Sequence, residues 1–322
     1  MSQARIFELL QRHIGKNRGI NLEIKNIIPT VSDKVLALAS PHRRDQAYSR
    51  GYILRKVTNY AWPRPLKIYV EHGVESLEID RYEEKINPTA FIVYNEEKAK
   101  SLQRLGKNAF CVRDPFTYTV NPYFLKYPFY VAANEIEVIP NSFLYFYGHS
   151  TPEISDANSS DYYTDFLIEL AKDYDVFTVC LHFHDVQKGI GKLLSVKGLN
   201  WTYIRKHPRA VFSNAFYKMV LSYSAFGSNL PGAYLYYLAN LRRQFTLYDL
   251  KPAFVNVSDH NHPDGANITL DKSRYNEAYE IFSESSAYTI QDKFEYSKLF
   301  LGGCDASPIQ DEIRLLRKLM RT

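Results

Sequence analysis

The stretch TAFIVYNEEKAKSLQRLGKNAFCV, residues 89–112, is the clearest indicator of the fold class. Its two apolar runs, TAFIVY and NAFCV, have the length and composition of buried strands. The polar run between them predicts a helix, with Asn95 as its N-cap and Gly106 as the residue that stops it. A strand, a helix and a second strand in this order form a parallel pair. We therefore predict an α/β fold with parallel sheets.

The same alternation extends toward the N-terminus. The run LKIYVEHGV, residues 66–74, predicts a strand that ends at His72 and Gly73, where glycine lets the backbone turn sharply off the sheet. Earlier segments predict a helix near residues 6–13 and a strand at residues 34–39. The first half of the chain thus consists of alternating helices and strands.

The second half repeats the pattern after a break. Residues 114–141 contain four prolines and interrupt the alternation, so we predict two domains, residues 1–130 and 131–322. Beyond the break, the predicted strands are SFLYFY (142–147), VFTVCL (176–181), VLSYSAF (220–226) and QFTLYD (244–249), with helices at 162–172 and 231–241 and a helical region from residue 272 onward.

Composition and charge exclude several classes of protein. With 322 residues, the chain exceeds the size at which a single hydrophobic core usually stops growing, which favours two domains over one. Its cysteines, Cys111, Cys180 and Cys304, are odd in number and lack CxxC spacing, which argues against a disulfide framework and a zinc site. A net charge of +5 without a long basic run argues against a nucleic-acid partner. The sequence has neither the GxGxxG of dinucleotide dehydrogenases nor the GxxxxGK of P-loop enzymes.

The sequence also predicts where the protein works. It has no uninterrupted apolar run of membrane-spanning length, and its first residues are amphipathic, unlike a signal peptide. We therefore expect a cytoplasmic protein. A basic C-terminal helix leaves a peripheral contact with the inner face of an anionic membrane open, although packing of this helix on the first domain is the favoured prediction. Its cationic residues are Arg314, Arg317, Lys318 and Arg321.

Polar residues follow four of the predicted strands. In open parallel sheets, ligands bind beyond the carboxyl ends of the strands, so these loops are the places to look for a site. They are Glu71-His72-Gly73, Gly148-His149-Ser150-Thr151, His182-Phe183-His184-Asp185 and Gly227-Ser228-Asn229.

His72 is the candidate general base. An imidazole with an ordinary pKa of about 6.5 can take a proton from an attacking hydroxyl at neutral pH. The alternative is a histidine that caps the end of its strand. Glu71 alternates with His72 and is expected on the opposite face of the strand, which leaves Glu75 as the fallback base.

The segment FGSNLPGAY predicts a phosphate site. Ser228 and Asn229 precede Pro231, the expected start of a helix whose positive end would attract a diphosphate. An ordinary N-cap formed by these residues is the alternative. His149, Ser150 and Thr151 offer further hydrogen-bonding groups for a leaving phosphate, or else form a turn held by local hydrogen bonds.

His184 and Asp185 are candidate contacts for a nucleotide or its ribose. The HxH pattern of His182 and His184 also suggests a metal site, because alternate residues can lie on the same side of the chain. No third ligand has suitable spacing, so we predict no bound metal.

The residues that follow the strands resemble those of the GT-B transferases that build bacterial capsules, lipopolysaccharide and teichoic acids. The resemblance extends over about residues 60–250 and consists of three features: a strand ending in His72-Gly73, the polar turn that begins at Gly148, and Ser228-Asn229 before a helix of small residues. It implies two Rossmann-like domains that face a central cleft, with the acceptor on the side of the first domain and the nucleotide donor in the second.

The resemblance also implies roles for individual residues. His72 would be the base of an inverting transfer that needs neither a metal nor a cofactor. His149, Ser150, Thr151, His184, Ser228 and Asn229 would hold a nucleotide-sugar donor, and the acceptor would be a growing glycan or a lipid-linked glycan.

The sequence departs from the related CDP-glycerol glycerophosphotransferases in two places. It reads FGSN where an aspartate followed by Tyr-Ser-Ser is expected, and Asp185 rather than proline follows His184. Sugar transfer is therefore preferred to CDP-alditol phosphate transfer. Lys206-His207-Pro208 resembles the His-Pro motif of bacterial sialyltransferases, but their acidic partner motif is missing. A non-enzymatic module that binds nucleotides or glycans is the remaining alternative.

Overall fold

A computed structural model describes most of the chain from residue 49 onward. The described residues are 49–61, 64–71, 73–74, 79, 81–126, 129–148, 154–156, 160–204, 212–250, 254–256, 272–302 and 308–321. They form two compact units, one from residues within 137–206 and 219–293 and the other from residues within 22–136, 207–218 and 294–322. We call them the five-stranded unit and the three-stranded unit after their main sheets. The predicted boundary between residues 130 and 131 stays a prediction.

The elements alternate as the sequence indicates. The strands are β1 (Ile68–Val70), β2 (Ala90–Val93), β3 (Ala109–Cys111), β4 (Ile139–Phe146), β5 (Ile154–Asp156), β6 (Val176–Leu181), β7 (Asn200–Tyr203), β8 (Tyr223–Ser228), β9 (Gln244–Leu247) and β10 (Phe254–Asn256). The helices are α1 (Arg50–Thr58), α2 (Arg81–Lys85), α3 (Glu96–Arg104), α4 (Ser160–Ala171), α5 (Phe183–Gln187), α6 (Ile190–Val196), α7 (Phe212–Leu221), α8 (Ala233–Asn240), α9 (Lys272–Phe282), α10 (Ile290–Leu301) and α11 (Ile309–Arg321).

The five-stranded unit contains a wholly parallel sheet in the order β7-β6-β4-β8-β9. Its first strand, β4, lies at the centre, because the chain adds β6 and β7 on one side before it returns to add β8 and β9 on the other. Every residue of β6 is buried, as expected for a strand covered on both faces. Phe143, Tyr145 and Val179 are part of the core of this sheet. The predicted α/β fold with parallel sheets is therefore confirmed.

The three-stranded unit contains a second parallel sheet in the order β1-β2-β3. Tyr69, Phe91 and Leu102 form part of its core. Both predicted limits of α3 are confirmed. The side chain of Asn95 accepts hydrogen bonds from the backbone N–H groups of Glu97 and Lys98, and Gly106 has a φ of +75°, in the left-handed region that ends many helices.

One predicted strand has the wrong limits. Residues 220 and 221 end α7, and the strand β8 begins at Tyr223. Ser222 separates the two elements, and both its backbone N–H and its hydroxyl donate to the carbonyl of Met219, which closes the last turn of the helix. An apolar pair such as Val220-Leu221 suits a buried helix as well as a strand, so its pattern could not distinguish them.

Part of the proline-containing segment, residues 114–141, is buried. In its described part, Phe116, Tyr118 and Leu125 are buried, and Phe116 contacts the rings of Phe216 and Tyr217 in α7. The 3₁₀ turn Pro115–Val120 is capped by Asp114, whose carboxylate accepts the N–H of Phe116.

The C-terminal helix α11 packs within the three-stranded unit. Leu316, Leu319 and Met320 are buried, and the hydroxyl of Thr58 in α1 contacts the sulfur of Met320 at 3.1 Å. Arg314, Arg317, Lys318 and Arg321 lie on its exposed face. No helix in the described part of the chain is long and apolar enough to cross a bilayer.

The cysteines and the predicted N-terminal elements are only partly covered by the described residues. Cys180 is buried as a free thiol and Cys111 is a half-buried free thiol, but Cys304 lies outside the described residues, as do the predicted helix near 6–13 and the predicted strand at 34–39. The antiparallel pair formed by β5 and β10 was not predicted.

A buried ion pair joins α1 to the segment after β3. Arg50 donates from Nε and Nη2 to the two carboxylate oxygens of Asp114, at 2.8 and 2.7 Å, and both side chains are at most 1% exposed. The backbone N–H of Asp114 also donates to the carbonyl of Leu301 in α10. Through its carboxylate and its backbone N–H, Asp114 thus links α1, the segment after β3 and α10.

We predict that Asp114→Asn lowers the free energy of unfolding by about 3–5 kcal/mol, because it removes the buried negative charge that pairs with Arg50. Urea unfolding followed by circular dichroism measures the loss. The control is Glu97→Gln, which breaks the exposed Lys100–Glu97 pair of α3 and should change stability by less than about 0.5 kcal/mol. Equal unfolding midpoints for the two variants would contradict the assigned role of the buried pair.

Candidate functional site

The carboxyl ends of β4 and β8 form the switch point of the five-stranded sheet. The chain leaves β4 toward β6 on one side, whereas β8 lies on the other side of β4. Loops that leave two neighbouring parallel strands in opposite directions open a crevice at the sheet edge, and ligands of α/β proteins bind in such crevices. Gly148 follows β4, and Asn229 follows β8 directly.

Asn229 connects three strand ends. Its Oδ1 accepts the backbone N–H of Gly148 at 3.1 Å, and its Nδ2 donates to the carbonyl of Leu250, which follows β9, at 3.1 Å. The side chain is buried. Gly148 is tightly enclosed here, since a Cβ at this position would lie 2.7 Å from Cδ1 of Leu230 and 3.0 Å from Oδ1 of Asn229.

Ser228, Leu230 and Tyr234 form a closed ring of hydrogen bonds. The N–H of Leu230 donates to Ser228 Oγ at 3.1 Å, and Tyr234 Oη donates to the carbonyl of Leu230 at 2.8 Å. Ser228 Oγ and Tyr234 Oη are 2.8 Å apart. Because the phenol proton already goes to Leu230, the serine hydroxyl is the donor in this third bond. The ring holds the turn between β8 and α8 in one conformation.

The ring of Tyr234 is packed over the start of α8. It stacks on Phe146 at the end of β4, with 4.4 Å between the ring centroids and 4° between the planes. A Cβ on Gly232 would lie 2.5 Å from this ring, so the position accepts only a residue without a side chain.

The N-terminus of α8 lacks a capping side chain. The helix begins at Ala233, and Gly232 is its N-cap, so the prediction that Pro231 is the first residue is wrong. Its first turn contains no acidic residue. The first N–H groups of a helix and the positive end of its dipole attract anions. This end of α8 therefore suits a phosphate group.

The segment after β6 is a helix rather than the predicted turn. His182 is the N-cap of α5, and its ring accepts the backbone N–H of His184 at 3.4 Å. Nδ1 of His184 lies 3.2 Å from Oε1 of Gln187, one turn further along. Asp185 is buried. The capping histidine explains the difference, because its side chain starts the helix directly at the strand end.

These positions leave the predicted donor residues in two groups. Ser228 and Asn229 lie close to Gly148, and their side chains are buried and hydrogen-bonded within the turn. They therefore fix the shape of the turn. Direct contact of either residue with a donor stays a prediction. His184 and Asp185 follow β6, which pairs with β4, and so lie at the same edge of the sheet. Among the described residues, no group of three His, Cys, Asp or Glu side chains could hold a metal ion.

Several predicted residues have no described position. His72, Glu75, His149, Ser150, Thr151 and the segment 206–208 all lie outside the described residues. Gly73, which follows His72, does not have the left-handed backbone that would require glycine, and a Cβ there would meet nothing within 4 Å. Gly73 thus has no backbone conformation that only glycine adopts, and the sharp turn expected at this position stays a prediction.

A buried ionic cluster lies at the end of β1. The carboxylate of Glu71 accepts from Lys98 Nζ at 2.6 Å, and the same ammonium group pairs with Glu83 at 3.0 Å. Tyr69 donates its hydroxyl to Glu83 at 3.0 Å. All three charged side chains are buried. Sequence reasoning missed Lys98 and Glu83, although a lysine in the first turn of a helix was a signal, because cations are unfavourable there.

Burial and charge shift the pKa values of this cluster. Burial raises the pKa of Glu71 to about 7, against the opposing effects of Lys98 and of the hydrogen bond from the Tyr94 backbone. Burial works to lower the pKa of Lys98, but the carboxylates of Glu71 and Glu83 outweigh it, so that this pKa lies above its usual value. The lysine therefore stays charged, and burial makes the carboxyl group of Glu71 easier to protonate than that of an exposed glutamate.

We predict that Gly148→Ala lowers the free energy of unfolding by about 1–3 kcal/mol, because the new methyl group would overlap Leu230 and Asn229. Thermal unfolding monitored by circular dichroism measures the change. Gly73→Ala is the matched control and should change stability by less than about 0.5 kcal/mol, since its methyl group meets no atom. Full stability of Gly148→Ala would show that the strand ends are not held as closely as described.

Comparisons with known proteins show little. No family model matches the chain, and no curated protein matches it. Among solved structures, the chain is similar to the UDP-GlcNAc 2-epimerase from Neisseria meningitidis bound to UDP-GlcNAc, with 14% sequence identity and a TM-score of 0.37. The match covers 73% of this chain and 62% of the epimerase chain, so this chain spans less than two thirds of its length. A similarity this low carries no argument about the fold or the function of this protein.

Proposed function

We propose that this protein is a glycosyltransferase that moves a sugar from a nucleotide-sugar donor to a glycan or lipid-linked glycan acceptor, with inversion and without a metal ion. The donor binds at the carboxyl edge of the five-stranded sheet, and His72 is the general base.

The observation that supports the proposal best is the construction of the switch point. Three features coincide there: a glycine closely packed at the end of β4, a turn held by a ring of hydrogen bonds after β8, and a helix that starts at Gly232 without a capping side chain. A diphosphate needs backbone N–H donors, close approach of the backbone and a positive potential. The start of α8 would supply the positive end of a helix dipole, and the hydrogen bonds of the preceding turn keep it ordered, so little entropy would be lost on binding.

The proposed reaction is a single displacement. His72 takes the proton of the acceptor hydroxyl while its oxygen attacks the anomeric carbon of the donor. The bond between that carbon and the phosphate oxygen breaks, and the nucleotide leaves with the electron pair. The positive end of α8 stabilises the charge that develops on the leaving group. Attack from the side opposite the leaving group inverts the anomeric carbon.

The remaining predicted residues have roles in donor binding. His149, Ser150 and Thr151 follow Gly148 and would donate hydrogen bonds to the leaving phosphate. His184 and Asp185, one strand further along the same edge, would contact the nucleotide or its ribose. Ser228 and Asn229 would act by shaping the phosphate turn.

We predict that one nucleotide among CMP, CDP, UDP, GDP and their common sugar conjugates raises the melting temperature, because a ligand that binds only the folded protein stabilises it by mass action. At a concentration 100 times its Kd, the stabilisation is about 2.7 kcal/mol. Differential scanning fluorimetry measures the shift. The same screen on Gly148→Ala should give a smaller shift, whereas Gly73→Ala should match the original protein. Absence of a shift with every nucleotide would contradict a preformed donor site.

We predict that His72→Ala lowers kcat by about 100- to 10,000-fold and leaves the thermal shift of the donor unchanged, because the variant loses its base but keeps its donor site. The assay follows release of the nucleotide from the donor found in the screen, with and without EDTA, which should have no effect. His184→Ala is the contrasting variant and should weaken the thermal shift. Release of CMP from a CDP-alditol would instead identify a phosphotransferase, and binding without turnover would identify a binding module.

A further inference from the structure

We propose that the exposed face of α11 is a docking surface for a bilayer that contains anionic lipids. This surface, the basic face, is formed by four exposed cationic residues: Arg314, Arg317, Lys318 and Arg321. The inference goes beyond the proposed function, because it requires neither a donor nor turnover. If the acceptor is lipid-linked, it would be presented at such a membrane.

The basic face follows from the positions of its residues along the helix. They occur in the pattern i, i+3, i+4 and i+7, which places their side chains on one side of α11. At a rise of 1.5 Å per residue, they extend over about 10 Å of the helix axis. The other side of α11 is apolar and buried within the three-stranded unit, with Ile313, Leu316, Leu319 and Met320. One side therefore attaches the helix to its unit, and the other faces solvent.

Little of the positive charge on this face is neutralised. Arg314 pairs with the exposed carboxylate of Asp311 at 3.1 Å. Within the described part of the chain, the other three cations of the basic face have no carboxylate partner. With Asp311 counted against the four cations, the exposed side of α11 has a net charge of +3.

The second acidic residue of α11 is directed into the unit. Glu312 is buried, and its carboxylate accepts hydrogen bonds from the hydroxyl of Tyr118 and from the backbone N–H of Arg113. It also pairs with the guanidinium group of Arg113. The negative charge of Glu312 is thus balanced inside the three-stranded unit and does not reduce the charge of the basic face.

The helix itself does not require this distribution of charge. The helix dipole favours cations in the last turn, which accounts for Lys318 and Arg321. Arg314 and Arg317 precede that turn, and the effect of the dipole fades there. The exposed charges of α3 show a different arrangement, with both signs present: Glu96, Glu97, Lys100 and Arg104. A face with cations of one sign suits an anionic partner.

An anionic bilayer fits this surface better than a nucleic acid does. Each Lys or Arg close to such a bilayer contributes about 1 kcal/mol, which is about fivefold in partitioning. The chain has no long basic run of the kind that nucleic-acid-binding proteins carry. Because the apolar side of α11 is buried in the unit, the helix has no apolar face to insert. Binding is therefore electrostatic, and salt screens it.

The test measures sedimentation of the full chain with sucrose-loaded vesicles. The vesicles contain phosphatidylcholine alone or with about 30% phosphatidylglycerol, in about 50 mM or about 500 mM NaCl. The variant Arg317→Gln with Lys318→Gln removes two charges from the basic face. The matched control, Lys100→Gln with Lys172→Gln, removes two exposed charges elsewhere and gives the same net charge. Circular dichroism establishes that the variants fold.

We expect the original protein to sediment with vesicles that contain phosphatidylglycerol at the lower salt concentration and to be released at the higher one. Arg317→Gln with Lys318→Gln should lower the partition coefficient about 30-fold, since two favourable charges are lost. The matched control should change it less than about twofold, because its charges lie outside the basic face. If the first variant does not fold, Arg321→Gln replaces it, with an expected loss of about fivefold.

The proposal is overturned if the original protein does not sediment with the anionic vesicles, if it sediments equally with phosphatidylcholine alone, or if the two double variants lose binding equally. Binding of duplex DNA that depends on Arg317 and Lys318, without binding to vesicles, would assign the face to a nucleic acid and also overturn it. Sedimentation needs no donor. Failure of every nucleotide in the fluorimetry screen would therefore contradict the proposed function alone.

Discussion

The pairing of β4 with both β6 and β8 is the interaction on which the five-stranded unit depends. Because the first strand of the sheet becomes its central strand, every later strand is added to one of its two sides. A central parallel strand is covered on both faces and hydrogen-bonded on both edges, and residues 143–146 of β4 are accordingly buried aliphatic or aromatic side chains. Beyond its carboxyl end the chain can present polar groups without disturbing the core. The candidate site follows from this geometry.

Polar side chains at this edge of the sheet form hydrogen bonds with backbone groups. Asn229 joins the ends of β4, β8 and β9, and the ring through Ser228 and Tyr234 closes the turn before α8. Each bond satisfies a group that would be costly to leave unpaired in a buried place. The result is a turn whose shape is set before any ligand arrives.

The three-stranded unit contains buried charged side chains. Arg50 with Asp114, and Lys98 with Glu71 and Glu83, place cations next to carboxylates inside the unit. Buried ion pairs contribute little to stability compared with well-packed apolar residues, so their presence needs another explanation. For Arg50 the explanation is the joining of segments distant in sequence. Lys98 likewise joins Glu71 at the end of β1 to Glu83 in α2.

The sequence by itself determined the alternation of strands and helices, the parallel sheets, the limits of α3 and the edge at which polar loops would gather, because these depend on local periodicity and on capping residues. It could not distinguish helix from strand at Val220-Leu221, and it treated the segment after β6 as a turn. Only the tertiary structure decided that Asn229 bonds to Gly148, that Tyr234 stacks on Phe146, and that Lys98 meets Glu71 and Glu83. These contacts join residues that lie apart in the chain, and their energies arise from burial, which no local pattern of residues contains.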